Sequence, residues 1–570
     1  MEKINKIKKE LRNLNLDGYV IPKNDEFFGE YVPNHKDYLK FITNFSGSYG
    51  FALILKKKNY LFVDGRYSLQ AKKESGKKFN IMTIPNKFPS DVTKNKNLKI
   101  GFDPKLHTDQ MLRMLFKSSD CKLIPIKYNL VNKIIKFKKK PTNKKFFFLK
   151  DEDSGKSHIN KINTITKIIK KNKADMQFVT APENIAWLLN LRGGDSIYSP
   201  LPHGYLIVEK NKVILFCELN KIKKKFRKIK NLKILSINNI EIFINKLKNK
   251  KILIDSRTCS IHFKNIAQKN NKIIKLEDPI YFLKSIKNKI EIKNTIKTHI
   301  FDGVALTKFL FWLKNNFKNK KITEISAQNK LLSFRKRNKK FLSLSFPTIS
   351  GTGPNGAIIH YKADKKSNRF LKKNDLYLID SGGQYKFGTT DVTRTVSLGN
   401  KNKRIKNIFT RVLKGHIAVA DYHINKKTIG SDIDLAAREP LNKIGLDYAH
   451  GTGHGVGYYL NVHEGPQGIS KGNKIGFKEG MILSNEPGYY ENNKFGIRIE
   501  NLVTVIKKKN TYRFINLTMA PIEKSLIEKK LLQKKEIKWI NNYHATVFSN
   551  LGKFMNKYEL FDLKKACSNI

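Results

Sequence analysis

The residues able to do chemistry gather in one stretch of this 570-residue chain. Asp380 closes an apolar, strand-like run, Leu376-Tyr377-Leu378-Ile379-Asp380, and Ser381-Gly382-Gly383 turns the chain. It returns through Thr389-Thr390-Asp391-Val392-Thr393-Arg394-Thr395, whose β-branched residues predict a second strand. The result is a hairpin with an acid on each arm. A second hairpin follows the same logic. Met481-Ile482-Leu483-Ser484-Asn485-Glu486 leads through Pro487-Gly488 to Gly496-Ile497-Arg498-Ile499-Glu500-Asn501-Leu502. Strand alternation puts Arg498 and Glu500 on one face, so Arg498 can hold a carboxylate of the same cluster. Between the hairpins lies His450-Gly451-Thr452-Gly453-His454-Gly455-Val456-Gly457, with His463 soon after; small residues let side chains crowd around a site.

Each acid alone reads as a solvated turn residue. Together they form a buried acid cluster, costly unless cations neutralise it. Four carboxylates and one imidazole match two divalent ions, four negative charges against four positive. Oxygen-rich ligation favours Mn²⁺ over a thiolate-loving metal, while affinity order leaves Mn²⁺, Co²⁺, Fe²⁺ and Zn²⁺ open. Other motifs lead nowhere. Gly351-Thr352-Gly353-Pro354-Asn355-Gly356 matches GxGxxG, but Ala357-Ile358-Ile359-His360-Tyr361 behind it reads as extended rather than helical, which argues against a dinucleotide loop. GxxxxGK[ST], HExxH and GxSxG are all absent. The four cysteines, Cys121, Cys217, Cys259 and Cys567, form no CxxC and no disulfide scaffold.

The series Asp380, Asp391, His454, Glu486, Glu500, in that order and with those neighbours, resembles the pita-bread metallopeptidases, and among them the three-domain Xaa-Pro aminopeptidase family. The resemblance spans nearly the whole chain. It includes Asn44-Phe45-Ser46-Gly47-Ser48, Asp64-Gly65-Arg66-Tyr67, Ala186-Trp187-Leu188-Leu189-Asn190, His299-Ile300-Phe301-Asp302-Gly303, Ser345-Phe346-Pro347, His360-Tyr361 and Trp539-Ile540-Asn541-Asn542-Tyr543-His544. Ala520 stands where that family often has cysteine. The resemblance implies that Asp380 binds one metal, that Asp391 and Glu500 bridge two, and that His454 and Glu486 complete the ligation of the second metal. It makes His360, His450 and His463 catalytic and substrate-lining residues, adds Arg498 to the substrate site, and gives Glu486 the proton transfer to the leaving nitrogen. The implied reaction is hydrolysis of an N-terminal Xaa-Pro bond by a hydroxide held between two metal ions, with Mn²⁺ favoured. The alternatives are a prolidase-type dipeptidase and a non-enzymatic polyanion-binding relative.

The elements that must position these residues follow from periodicity and composition. Apolar residues are 40% of the chain, enough for several cores, and no apolar run reaches the ~18 residues of a membrane span. The expected fold is α/β (α+β). Two creatinase-like α/β domains (1–140 and 146–283) precede a pita-bread catalytic domain (284–508) and a short helical C-terminal extension (509–570). The lysine-rich stretch 136–145 reads as a linker. A helix is expected to start at Ser431 as N-cap, with Asp434 three residues later. Net charge is +65, from 112 Lys and Arg against 47 Asp and Glu. The lysines are scattered rather than clustered, so the reading is no specific nucleic acid and no membrane partner. The N-terminus lacks the features of a secretory signal, which makes a cytoplasmic address the expectation. The resemblance adds a homodimer, with peptides bearing proline at the second position as the partner molecules.

Overall fold

The structure is a computed structural model that describes every residue except 1, 136–143, 211, 225, 227–228, 230 and 400–401. Most of the expected linker therefore lies outside the described residues. The chain divides into two compact units, Met1–Ile280 and Tyr281–Ile570.

Met1–Ile280 holds two six-stranded sheets. The first uses Gly18–Pro22, Phe51–Leu55, Asn59–Asp64, Asn80–Ile84, Lys99–Phe102 and Lys122–Pro125. The second uses Met176–Val179, Gly204–Glu209, Val213–Cys217, Leu232–Ser236, Lys251–Ile254 and Lys272–Lys275. Counted along the chain, both sheets run 4-3-2-1-5-6. In both, the first strand is antiparallel to the second and the second to the third, and every other pairing is parallel. The two halves are thus repeats in topology, which their sequences do not establish. Equivalent residues also exchange bonds across the join. His262 N–H donates to Pro104 O (3.0 Å), Gln110 N–H donates to Ser256 O (3.4 Å), and Thr108 and Ser260 form an antiparallel bridge. The central strands are buried on both faces, and the edge strands are half-exposed. In the first sheet Val20, Leu53, Tyr60 and Phe62 enter one core, and Tyr19, Ile21, Ala52, Ile54, Leu61 and Val63 enter the other.

Tyr281–Ile570 opens with the helix Lys289–Asn316, started by Asn288, whose side chain caps Glu291 N–H while Glu291 returns to Asn288 N–H. The helices Glu324–Lys336, Lys403–Ala420 and Gly430–Asn442 follow. Two sheets carry the acids. One is Ile349–Thr352, Leu376–Ser381 and Val392–Ser397; the other runs Glu464–Ile469, Gly453–Gly455, Ile482–Asn485, Asn501–Lys508 and Thr511–Asn516. The chain ends in the helices Lys534–Leu551 and Lys557–Cys567. Trp539 and Tyr543 stack in the first of these (5.4 Å between ring centroids) and pack on the core that holds Ile497 and Ile499.

Two local expectations change. The fourth helix starts two residues early, with Ile429 rather than Ser431 as its N-cap. Its first residue, Gly430, lies so close to Gly468 O that a Cβ would sit 2.0 Å away, and Asp432 caps the free N–H of Ile429. Close packing, not a serine cap, sets this terminus. The glycine loop itself is a strand end followed by a 3-10 turn (Gly353–Ala357), and Ile358–Tyr361 behind it is irregular rather than a strand. The buried carboxylate of Glu324 organises it, accepting from Thr352 N–H (2.8 Å), Asn355 Nδ2 (3.0 Å) and Tyr361 OH (2.8 Å). A loop whose amide already serves a carboxylate would repel a phosphate.

Candidate metal centre

Both acid-bearing hairpins are broken where the acids sit. Asp380 is paired within its strand, opposite Thr393. Beyond Ser381 the chain leaves that sheet and forms a separate small ladder, Gly383–Tyr385 with Gly388–Thr389, before re-entering at Val392. Asp391 occupies the re-entry point, outside any strand. Gly382 is required there, because a Cβ would lie 1.9 Å from Thr390 O. In the second hairpin Asn485 pairs with Asn501, and the ladder resumes only at Gly488 opposite Arg498. Glu486 and Glu500 lie in this gap. Their N–H groups find partners outside the hairpin: Glu486 N–H donates to Thr452 O (2.8 Å) and Glu500 N–H to Thr393 O (3.2 Å). These two bonds tie the second hairpin to the histidine loop and to the first hairpin.

The side chains converge. One ligand atom each from Asp391, His454 and Glu500 lie within 4.8 Å of one another. His454 Nε2 stands 3.5 Å from Asp391 Oδ2 and 3.4 Å from Glu486 Oε1. His454 Nδ1 bonds Gly455 O (2.9 Å), which places the proton on Nδ1 and leaves the Nε2 lone pair facing the acids. Thr393 Oγ1 donates to Glu500 Oε2 (2.8 Å), and Ser484 Oγ donates to Glu486 Oε1 (2.8 Å). Asp380 Oδ2 accepts from Arg498 Nη2 (2.6 Å), while its Oδ1 is buried with no hydrogen-bond donor among the described residues.

The electrostatics leave the cluster short of positive charge. Burial, then the neighbouring Asp380 and Glu486, push Asp391 well above the usual carboxylate range. Burial, then Asp391, does the same to Glu500. Burial opposes the charge on Arg498, but Tyr490, Asp380 and Glu486 outweigh it and hold the guanidinium firmly protonated. One arginine does not balance four acids. An oxygen-rich donor set, one imidazole presenting a free lone pair, and an orphaned buried carboxylate oxygen together fit hard divalent cations.

Around this group the other expected residues take distinct places. His450 Nδ1 donates to Gly451 O (2.8 Å), and its Nε2 accepts from Tyr490 OH (2.9 Å). Tyr490 OH in turn accepts from Arg498 Nη1 (2.5 Å), so His450, Tyr490, Arg498 and Asp380 form one chain of bonds. His463 meets His454 edge-on, with ring centroids 4.3 Å apart. Lys284 (3.1 Å) and Lys287 bury their charges against Glu464 beside it. His360 is half-buried, and its neighbour Tyr361 shares an apolar cluster against which Tyr490 packs. Sequence reasoning missed Thr393, Ser484 and Tyr490. The first two carried a signal, since each lies two residues from an acid of the cluster in a run whose alternation predicts one shared face. Tyr490 carried none. Asp434, read as a capping residue, instead accepts from Thr452 Oγ1 (2.6 Å) and Arg438 Nε (2.8 Å), and Arg438 also holds His450 O (2.7 Å).

Residues 293–507 match metallopeptidase family M24, and 510–570 match the C-terminal region of that family. Residues 3–134 and 137–291 each match a creatinase/prolidase N-terminal domain. A probable Xaa-Pro aminopeptidase P of Laccaria bicolor is 38% identical over 600 aligned residues, covering 100% of this chain and 93% of the relative. The chain is a member of metallopeptidase family M24. Xaa-Pro aminopeptidase 1 of Dictyostelium discoideum is 39% identical over 96% of this M24 chain and 92% of its own length. The crystal structure of an X-prolyl aminopeptidase from Caenorhabditis elegans, described as a cytosolic enzyme with a di-nuclear active site, superposes with a TM-score of 0.94. It is 31% identical, over 100% of this chain and 99% of that one. Both topological repeats and the C-terminal helices of this M24 member thus have counterparts in its relatives.

Proposed function

We propose that this chain is a metal-dependent aminopeptidase that releases the N-terminal residue of peptides whose second residue is proline. The convergence of Asp380, Asp391, His454, Glu486 and Glu500 on one buried point carries the reading, and the full-length similarity to Xaa-Pro aminopeptidases supports it. In this reading Asp380 would hold one divalent ion, His454 and Glu486 would hold the second, and Asp391 and Glu500 would serve both, with Mn²⁺ as the native metal. When bound, the ions supply Lewis acidity for water activation and carbonyl polarisation.

The chain's own residues do the rest. Thr393 and Ser484 fix the carboxylates of Glu500 and Glu486 by one hydrogen bond each. Arg498 and Tyr490 hold Asp380 and His450 in register. His360, His450 and His463 line the substrate site and stabilise the tetrahedral intermediate. Glu486 carries a proton to the prolyl nitrogen, which is a tertiary amide and leaves only when protonated. Proline at the second position has no N–H and a fixed φ, so a secondary amide there would bring an unpaired donor costing about 1–3 kcal/mol.

A cytosolic address is part of the proposal, as are the four segments 1–140, 146–283, 284–508 and 509–570. No described helix is long and apolar enough to cross a membrane. A homodimer is proposed too, supported by the exposed Phe554, Tyr558 and Phe561 near the C-terminus. Dispersed lysines support the absence of a specific nucleic-acid partner. The test is a matched pair of tripeptides, Arg-Pro-Pro and Arg-Ala-Ala, assayed with Mn²⁺. Cleavage of the first at ten times or more the kcat/KM of the second is expected. Comparable values would refute proline specificity, and cleavage of Xaa-Pro dipeptides alone would mean a prolidase.

A further inference from the structure

Arg394 is 2% exposed, and among the described residues it forms no direct ion pair; Glu500 favours its charge only through space. Its Nε donates to Pro521 O (3.0 Å), its Nη1 to Thr393 O (2.8 Å) and Glu500 O (2.6 Å), and its Nη2 to Asn501 Oδ1 (2.9 Å), Ala520 O (2.8 Å) and Tyr543 OH (2.9 Å). All six acceptors are uncharged. Burying an arginine unpaired is costly, so its position calls for a reason beyond packing.

The acceptors fall into two sets. Thr393, Glu500 and Asn501 belong to the hairpins that carry the acids. Ala520, Pro521 and Tyr543 belong to the C-terminal segment, and Tyr543 OH is itself within 2.8 Å of Ala520 O and 3.1 Å of Thr518 O. Glu500 lies in the gap of the second hairpin, where no strand partner holds its carbonyl. Arg394 Nη1 supplies the missing bond there. With Thr393, Arg394 grips Glu500 at three points: N–H to Thr393 O, C=O to Arg394 Nη1, and carboxylate to Thr393 Oγ1.

We propose that the C-terminal segment is a working part of the metal centre: Ala520, Pro521 and Tyr543 clamp Arg394, and Arg394 fixes Glu500 in the position from which it binds metal. Arg394 and Tyr543 are positioning residues that act through Glu500, and the proposal rests on the reading of Glu500 as a metal ligand. The rigid planar fan of donors is essential to this role, because one compact ammonium cannot span both sets of carbonyls.

The test is Mn²⁺ titration calorimetry on metal-stripped full-length protein, alongside thermal unfolding of the same stripped samples and steady-state kinetics on Arg-Pro-Pro. Arg394→Met is expected to weaken Mn²⁺ binding by tenfold or more, the range for outer-sphere partners of metal ligands. Arg394→Lys, which keeps the charge but not the fan, is expected to recover only part of that affinity. Tyr543→Phe leaves the ring stacked on Trp539 and removes the hydroxyl that accepts from Arg394 Nη2 and donates to Ala520 O. It is expected to weaken Mn²⁺ binding by a factor of three or more, with the unfolding midpoint of the stripped protein lowered only by the few degrees that loss of the hydroxyl's bonds gives. In each variant kcat should fall at sub-saturating Mn²⁺ and recover at saturation, while KM for the peptide stays constant. Wild-type affinity in Tyr543→Phe overturns the proposal, even if Arg394→Met fails to fold. Full recovery by Arg394→Lys overturns the role of the fan. Wild-type protein that takes up no Mn²⁺ fails the metal reading and this proposal with it, whereas normal wild-type uptake with unchanged variants overturns this proposal alone.

Discussion

Replacing Arg498 with methionine should destabilise the metal-free protein far more than the metal-loaded one. The guanidinium is buried and donates to Asp380 Oδ2, Tyr490 OH and Thr393 Oγ1. Methionine keeps much of the volume but removes every donor. In the metal-free state the substitution leaves Asp380 buried with neither oxygen paired, since its Oδ1 already has no donor among the described residues. Breaking one side of a buried ion pair costs about 3–5 kcal/mol. At about 2 °C per kcal/mol for a unit of this size, the unfolding midpoint should drop by roughly 6–10 °C. In the loaded protein a cation beside Asp380 replaces the lost partner. The remaining loss is then that of the bonds to Tyr490 and Thr393, about 1 kcal/mol each, so the drop should be roughly 2–4 °C. The assay is scanning calorimetry of wild type and Arg498→Met, each stripped and each saturated with Mn²⁺. Equal drops in the two states would refute the reasoning, because the arginine would then serve packing alone. No drop in the stripped protein would refute the buried ion pair itself.

Alanine at Asp391 or at Glu500 should abolish turnover and lower the bound metal measured by elemental analysis, because each acid faces both halves of the cluster; near-normal activity with two ions bound would contradict the assignment. Metal affinity should rise with pH. Asp391 and Glu500 are pushed up by burial and by neighbouring carboxylates, so protons occupy them at pH values where ordinary carboxylates are ionised, and an incoming cation must displace those protons. Calorimetry in buffers of different ionisation enthalpy should therefore show proton release on Mn²⁺ binding, and the apparent affinity should fall as pH is lowered from 8 to 6; an affinity flat over that range would count against the raised pKa values.

Much of this was legible in the chain. The five acid and imidazole residues were identifiable because each sits beside glycines or at the end of a β-branched run, and strand alternation led to Arg498 as the holder of a carboxylate in the cluster, which is Asp380. The core helices were legible for the same reason: Ile4, Ile7 and Leu11 recur at helical spacing and are all buried. What stayed hidden depends on contacts between segments distant in sequence. The breaks in both hairpins depend on Glu486 N–H reaching Thr452 O and Glu500 N–H reaching Thr393 O, bonds that no local pattern announces. The start of the fourth helix depends on Gly430 meeting Gly468, which outweighs a good local cap at Ser431. The repeat in the first unit shows in the shared strand order rather than in matching residues, because two sequences can share a topology while sharing few residues. The role of Tyr490 and the fan of Arg394 likewise belong to the packed protein.

The central claim is that this buried cluster binds two divalent ions and that they drive Xaa-Pro cleavage. The most direct measurement is activity on Arg-Pro-Pro against metal content in the same sample, from chelator-stripped protein through stepwise addition of Mn²⁺. The expected result is no turnover in stripped protein and recovery that saturates at two ions per chain. Undiminished Xaa-Pro cleavage by protein holding no divalent metal would contradict it.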